Sequence, residues 1–451
     1  MKILLLNPPA LSMYSTFGLS LPPMGLLYIA ASLEQAGHQV TVLDLTVDGV
    51  QLSDQALAAA DVVGISSDTT RIERAFALAR RAKAAGKLVV MGGPHPQFLA
   101  DEIMAAGTVD CIVKGEGEAV LPALLKAMQS GESLDAIAGI FFRKAGQTIE
   151  TASPEPLDVE QLPLPARHLL DLKPYQSMVN GRLAAPVITS RGCPGACHFC
   201  SSSSFFGRGW RARSAESVLA EIDELYNRYG YRAIAFMDDN FTLDPRRVEQ
   251  IADGVIQRGY DLKWWNLSRV DSIVRNPAMV AKMAAAGSNT VYLGIESDNA
   301  ETLNSLGKRS STAEVEQAIC ILKANAIETY GSYIIGNLNE EPADVKRTVN
   351  LAIRLDTDIA QFSILTPYPG TVLYEQVKDR IFTRKWKFYD GLHLVFRHPK
   401  INRHHLQYLL INAYIRFYRR SSRATEGFKE ATGRVGLSFR KVALCVWELF
   451  V

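Results

Sequence analysis

The chain has 451 residues, 47% of them hydrophobic, which is enough for two or three buried cores and too much for one small module. Its formal charge is only +2, so whole-chain electrostatics asks for neither nucleic acid nor an acidic partner. No span of about twenty apolar residues occurs, and the opening run Met1-Lys-Ile-Leu-Leu-Leu stops at Asn7-Pro8-Pro9, too short for a secretory leader, so the sequence reads as a cytoplasmic enzyme.

Residues 1–145 alternate strand-like and helix-like segments. Short buried strands are predicted at Ile3 to Leu6, Gln39 to Leu43, Asp61 to Ile65, Leu88 to Met91 and Cys111 to Lys114. Ala- and Leu-rich helices over Gly25 to Ala36, Arg71 to Ala85 and Ala119 to Met128 separate them. That rhythm means βαβ units and a doubly wound, Rossmann-like parallel sheet. Such sheets bind ligands beyond the carboxyl ends of their strands. Here those ends carry Asn7-Pro8-Pro9, Ser66-Ser67-Asp68-Thr69-Thr70, Gly92-Gly93-Pro94-His95 and Gly115-Glu116-Gly117-Glu118.

Loops so rich in small residues let backbone approach a large flat ligand. The combination of Pro22-Pro23-Met24-Gly25, the Gly-Gly-Pro-His strand end and the Gly-Glu-Gly-Glu turn resembles the cobalamin-binding domains that precede many radical S-adenosylmethionine (SAM) domains. The resemblance makes Ser66, Ser67, Thr69, Gly92, Gly93, Gly115 and Glu116 the cobalamin-binding residues. Cobalamin domains that supply a lower axial histidine use DxHxxG, whereas this loop reads Asp44-Leu45-Thr46-Val47-Asp48-Gly49. Threonine cannot coordinate cobalt as imidazole does, so the cobalamin implied here takes no histidine from the Asp44 to Gly49 loop. On fold alone, a Rossmann-like domain with another ligand or none remains the alternative.

Residues 146–184 carry Pro154, Pro156, Pro163, Pro165 and Pro174 and read as a proline-rich linker, in which His168 is a packing or surface residue. Over 185–375 the βα alternation resumes. Strands are expected at Val187 to Ser190, Ile234 to Met237, Trp264 to Leu267, Thr290 to Leu293, Tyr330 to Ile335 and Ala360 to Leu365. Helices are expected between them, as at Ser217 to Tyr229, Asp244 to Arg258 and Thr312 to Asn325. Six repeats suggest a partial (β/α)6 barrel, whose chemistry gathers at the carboxyl strand ends.

The first of those ends runs into Arg191-Gly-Cys-Pro-Gly-Ala-Cys-His-Phe-Cys. Cys193, Cys197 and Cys200 can each take one corner of a cubane [4Fe-4S] cluster. The fourth iron is then left open, as a catalytic metal keeps one position for a small molecule. A structural zinc would need a fourth ligand, for which His198 is the nearby candidate. A disulfide would need Cys111, Cys320 or Cys445, which stand singly in apolar surroundings as buried thiols do in a reducing compartment.

The CxxxCxxC spacing with Phe199 before the last cysteine resembles the signature of the radical SAM superfamily. The resemblance implies that the amine and carboxylate of SAM chelate the open iron and that Phe199 lies in the cofactor pocket. It also implies that Asp238 or Asp239 hydrogen-bonds the ammonium, and Arg269 pairs with the carboxylate. Glu296 and Ser297 would hold the ribose or methionine portion, and the backbone from Tyr333 to Gly336 would seat the adenine. Read from the residues alone, each of these carboxylates is equally a cap or turn residue at a strand end.

Residues 376–451 read as a helical region, basic from Arg397 onward with eleven Lys or Arg against three Glu. With Phe439, Val442, Leu444, Val446, Trp447, Leu449 and Phe450, this tail either makes peripheral membrane or electron-donor contact or packs its apolar side on the barrel.

The whole layout resembles the cobalamin-dependent, class B radical SAM enzymes, in the branch of the anaerobic magnesium-protoporphyrin IX monomethyl ester cyclase and related methyltransferases. It implies cleavage of SAM to a 5'-deoxyadenosyl radical and methylation of an unactivated carbon through methylcobalamin. The implied substrate is small or medium, lipid-like or tetrapyrrole, and the electron donor a flavodoxin or ferredoxin. Oxidative cyclisation is the enzymatic alternative, and a cobalamin or iron-sulfur sensor without catalysis the alternative of another class.

Overall fold

The computed structural model describes residues 1–9 and 20–420, and the chain divides into two compact units. The first takes residues 1–9, 21–175 and 204–206, the second 176–203 and 207–420 with Ser20.

In the first unit a seven-stranded sheet runs in the order β2-β1-β3-β4-β5-β6-β7. Strands β1 (Lys2–Asn7), β2 (Gln39–Asp44), β3 (Val62–Ser66), β4 (Leu88–Gly92) and β5 (Cys111–Val113) are parallel. Runs such as Ile3 to Leu6 are at most 2% exposed, because helices cover both faces of a parallel sheet. Those helices include α1 (Met24–Gln35), α2 (Ile72–Ala84) and α3 (Gly117–Ser130), the last closed by Gly131 in the left-handed conformation. The strand order reverses direction between β1 and β3, and the crevice at such a switch point is where these sheets seat ligands.

Two corrections concern the segment read as a linker. Strand β6 (Ile140–Lys144) turns through Ala145 and Gly146, both at positive φ, into β7 (Gln147–Glu150). This is a two-residue hairpin. An alanine at φ 50° hid the turn, so the irregular stretch starts after Glu150, not at 146. At the other end, the strand expected at Val187 to Ser190 lies earlier, as β9 (Arg182–Val187), with the antiparallel β8 (Met178–Val179) beside it. Pro186, opposite Ala235, disguised it. Ser190 and Arg191 form instead β10 (Ser190–Arg191), paired with β11 (Arg211–Ala212).

The second unit is the expected curled half-barrel, in the order β16-β15-β14-β13-β12-β9-β8. Its parallel strands are β9, β12 (Ala233–Phe236), β13 (Lys263–Ser268), β14 (Ser288–Glu296), β15 (Glu328–Ile335) and β16 (Ile359–Ile364). Helices alternate with them: α4 (Ala215–Asn227), α5 (Pro245–Gln257), α6 (Ala300–Ser305), α7 (Thr312–Ala324) and α8 (Pro342–Leu355). Their starts follow capping chemistry: Asp244 accepts from the Arg246 and Arg247 amides ahead of Pro245, and Ser311 closes a capping box with Glu314. Phe236 stacks on Phe241 at 4.4 Å and meets the edge of Trp264, filling the wall near β12.

Beyond the barrel, α9 (Arg403–Tyr418) docks on β16. Tyr414 donates to the Phe362 carbonyl at 3.0 Å and accepts from its amide, and Tyr418 does the same with Ala360. The basic apolar end singled out from Phe439 to Phe450, and Cys445, lie outside the described residues. Cys111 is buried as expected, whereas Cys320 on α7 is exposed. Among the described residues no helix is long and apolar enough to cross a membrane.

Candidate active site

In the first unit the strand-end residues meet as backbone. The Ser67 amide donates to the Gly92 carbonyl at 2.9 Å, and Gly93, at φ 106°, sits so close that a Cβ there would lie 2.5 Å from the Ser67 oxygen. Only glycine fits. Gly115, at φ 73°, donates its amide to Gln97 Oε1 at 2.6 Å, and Glu116 leads into α3. Ser66 closes β3 and Gly92 closes β4. Ser66, Ser67, Thr69, Gly92, Gly93, Gly115 and Glu116 thus lie together at the carboxyl ends of β3, β4 and β5.

Side chains in this unit are tied to one another. Asp44 Oδ1 accepts from Asn7 Nδ2, from the Thr46 amide and from Thr46 Oγ1, and its Oδ2 accepts from the Tyr175 hydroxyl at 2.8 Å. The Thr46 hydroxyl therefore faces Asp44. His95 pairs its Nδ1 with Thr69 Oγ1 at 3.2 Å, and burial pushes its pKa down to about 4, so the ring is neutral at pH 7. A surface of glycine and strand-end backbone fits a broad corrin face, and the Asp44 to Gly49 loop offers it no imidazole.

In the second unit the cysteine loop leaves β10 through Gly192, at φ 83°, whose missing Cβ leaves room for the Gly209 carbonyl. A Cβ on Gly195 would lie 3.4 Å from Cys193 Sγ, 3.9 Å from Cys197 Sγ and 3.5 Å from Arg269 Nη1. Two sulfurs and a guanidinium thus converge over one glycine, with Cys200 close enough for its charge to act on both of the other thiols. Burial pushes the Cys193 and Cys197 thiols above their ordinary pKa, so iron rather than ambient pH must displace their protons. None of the three is in a disulfide. Among the described residues no three His, Cys, Asp or Glu side chains converge on a single-ion position. Three thiols without a fourth ligand suit a cluster, in which each binds its own iron. His198 turns its Nδ1 to the Ser305 carbonyl at 2.8 Å, and Phe199 is half-buried beside Cys200.

The two aspartates after β12 separate. Asp238 is 1% exposed and accepts from the Thr189 amide, the Thr189 hydroxyl and the Ser190 hydroxyl, so it straps β12 to the end of β9. Three of its acceptor positions are thereby engaged inside the fold. Asp239 is half-buried and near enough to Cys193 to act on its charge. Burial pushes the Asp239 carboxyl up, against the pull of Ser202 and the Gly192 amide. Arg269 is aimed by Asp271, its Nε 2.9 Å from Oδ1.

Glu296 ends β14 at φ 68°, a conformation rare for a non-glycine residue, with Oε1 2.7 Å from Lys308 Nζ. The Ser297 hydroxyl lies 3.3 Å from both Glu340 Oε1 and Thr348 Oγ1. Gly336, at φ 77°, and Asn337 donate their amides to Glu340 Oε2, and a Cβ on Gly336 would press on Leu406. Burial raises the Glu340 pKa to about 7. Asn240 Nδ2 beyond β12 and Asn266 Oδ1 on β13 are buried without a hydrogen-bond partner among the described residues, a donor and an acceptor that a polar ligand such as SAM can satisfy. Lys308 and Glu340 are absent from the sequence-derived site. Glu340 follows a recognised strand end, but Lys308 lies between two helices and carries no local signal.

Known proteins agree with both halves. The B12 binding domain family matches residues 12–125 and the Radical SAM superfamily residues 187–352. The chain is 35% identical over 432 residues, covering 93% of each chain, to a protein of Pyrococcus horikoshii named uncharacterized methyltransferase PH0819. It is 29% identical to the anaerobic magnesium-protoporphyrin IX monomethyl ester cyclase of a Synechocystis strain, covering 84% of this chain and 78% of that protein. The fold matches that of the radical SAM methyltransferase TsrM from Kitasatospora setae, solved with cobalamin and a [4Fe-4S] cluster, with TM-score 0.71 and 19% identity over 84% of this chain and 74% of that one.

Proposed function

This chain belongs to the B12-binding radical SAM proteins, and on that premise we propose that it methylates an unactivated carbon of a small or medium-sized substrate, lipid-like or tetrapyrrole. It is an enzyme, and its cofactors are a [4Fe-4S] cluster, SAM and cobalamin. When bound, these supply an electron, a 5'-deoxyadenosyl radical able to abstract hydrogen, and a methyl group. The observation that carries the reading is the pair of sulfurs and the guanidinium over Gly195, with Cys200 nearby.

Roles follow for the chain's own residues. Cys193, Cys197 and Cys200 hold the cluster. Arg269, aimed by Asp271, meets the carboxylate of SAM, and Asp239 rather than Asp238 meets its ammonium. Phe199, Glu296 and the backbone at Gly336 border the rest of the nucleotide, while the Ser66 to Glu116 loops take the corrin. We assign the first sheet and its helices, through Glu150, to cobalamin and the half-barrel from β9 to residue 375 to SAM chemistry, with electrons from a flavodoxin or ferredoxin. The relative named as a methyltransferase favours methyl transfer, and the cyclase relative supports oxidative cyclisation as the second reading.

Anaerobically reconstituted protein given dithionite and SAM releases 5'-deoxyadenosine. With methyl-labelled SAM, label appears on bound cobalamin. No 5'-deoxyadenosine at all overturns the enzymatic reading, and 5'-deoxyadenosine without label on cobalamin turns it to cyclisation.

A further inference from the structure

Lys308 lies in the connection between α6 and α7, away from every strand end, yet its ammonium is buried at the cysteine loop. Its side chain is 15% exposed, Nζ is 2.7 Å from Glu296 Oε1, and it donates to the Gly294 carbonyl at 3.0 Å. A Cβ on residue 294 would come 2.5 Å from Nζ and 2.6 Å from Glu296 Oε1, so any larger residue there would displace the pair. The segment bearing Lys308 is buttoned to the loop. The His198 amide donates to the Leu306 carbonyl at 3.0 Å, His198 Nδ1 meets the Ser305 carbonyl, and Gly307, at φ 74°, leaves no room for a Cβ against the Ala196 oxygen. Among the charged groups acting on the Cys197 thiol, the Lys308 ammonium is foremost, ahead of Glu296 and Arg269. A lysine this confined, whose own anion is held in a left-handed backbone conformation, is costly to keep for packing alone.

We propose that Lys308 is a positioning residue of the iron-sulfur site, holding Glu296 in place and setting the potential at which a cluster on Cys193, Cys197 and Cys200 accepts its electron. The inference rests on the cluster reading above. Its physical basis is charge: reduction adds an electron next to Cys197, and a fixed cation in a poorly solvated site favours the more negative state. Glu296 opposes that effect. The two residues therefore carry contributions of opposite sign to one measurable quantity.

The test is an EPR-monitored redox titration of the full chain, anaerobically reconstituted and without SAM, with iron and sulfide counted first. Lys308→Met with a full cluster shifts the midpoint negative, so that the reduced-to-oxidised ratio at fixed potential falls roughly tenfold, equivalent to about 59 mV for one electron. Lys308→Arg restores the wild-type midpoint, and Glu296→Gln shifts it positive. A Lys308→Met protein titrating with the wild type, or shifts of the same sign in Lys308→Met and Glu296→Gln, overturns the proposal. Should Lys308→Met fail to hold a cluster, Glu296→Gln decides alone, and no positive shift there overturns it. A wild-type chain that takes up no iron overturns the cluster reading itself.

Discussion

The two sets of strand-end loops solve recognition in opposite ways. In the first unit, side chains such as Asp44, Asn7, Thr46 and Tyr175 hydrogen-bond one another, Asp68 pairs with Arg71, and the backbone of Gly92, Gly93 and Gly115 lines the edge beside them. In the second unit the loops present charge: Arg269 and Asp239 beside Cys193, Lys308 and Glu296 beside Cys197. The difference separates holding from activating. A large flat ligand is retained by shape, which backbone and glycine supply without introducing charge. Bond cleavage after electron transfer needs placed charges, which only side chains supply.

The sharpest way to break this comparison is Cys197→Ala. Bound iron and acid-labile sulfide and 5'-deoxyadenosine release are all lost, while cobalamin content is kept; a full complement of iron and sulfide would show that Cys197 is no ligand. The mirror experiment is Gly93→Ala. It forces a Cβ onto the Ser67 carbonyl at a backbone conformation almost confined to glycine, at a cost of about 2–3 kcal/mol. Cobalamin per chain falls while iron per chain holds, and equal losses of both would refute the separation of roles.

Within the charged set, Asp238→Asn and Asp239→Asn distinguish strap from contact. The first lowers stability by about 2 kcal/mol in urea unfolding, since a buried, multiply bonded carboxylate loses acceptors. The second leaves unfolding nearly unchanged and weakens SAM binding, measured by calorimetry on the reconstituted protein.

Smaller effects come from pH, with opposite sign in the two regions. His95 has its pKa lowered from 6.5 to about 4, so its contribution is present above pH 6.5 and lost as pH falls through 4. Glu340 has its pKa raised from 4.5 to about 7, so its contribution is present below pH 4.5 and lost as pH rises through 7. Each is worth roughly 3–4 kcal/mol at most. His95→Gln flattens the acid limb of a stability profile and Glu340→Gln the neutral limb; unchanged limbs would refute the assignments.

What the sequence could disclose follows from how local each signal is. The cysteine spacing and the βα rhythm are contained in short windows, so both cofactor families and the half-barrel were legible. Asp238 and Asp239 are adjacent in the turn that follows β12, and nothing in the pair says which of them lies nearer the cysteines. The β6–β7 hairpin hid behind an alanine at positive φ, and β9 behind Pro186. Lys308 reaches Cys197 only through the packing of Ser305 to Gly307 on His198 and Ala196, a relation with no footprint in one dimension.

A half-barrel that fails to close leaves its last strand with a row of amides and carbonyls turned outward, a template on which a foreign strand can grow. Tyr414 and Tyr418, one turn apart on α9, put phenol oxygens where that strand's backbone would go, at Phe362 and Ala360. The helix past the half-barrel therefore covers that template, and shortening the chain before residue 403 is expected to raise its tendency to aggregate, read by light scattering.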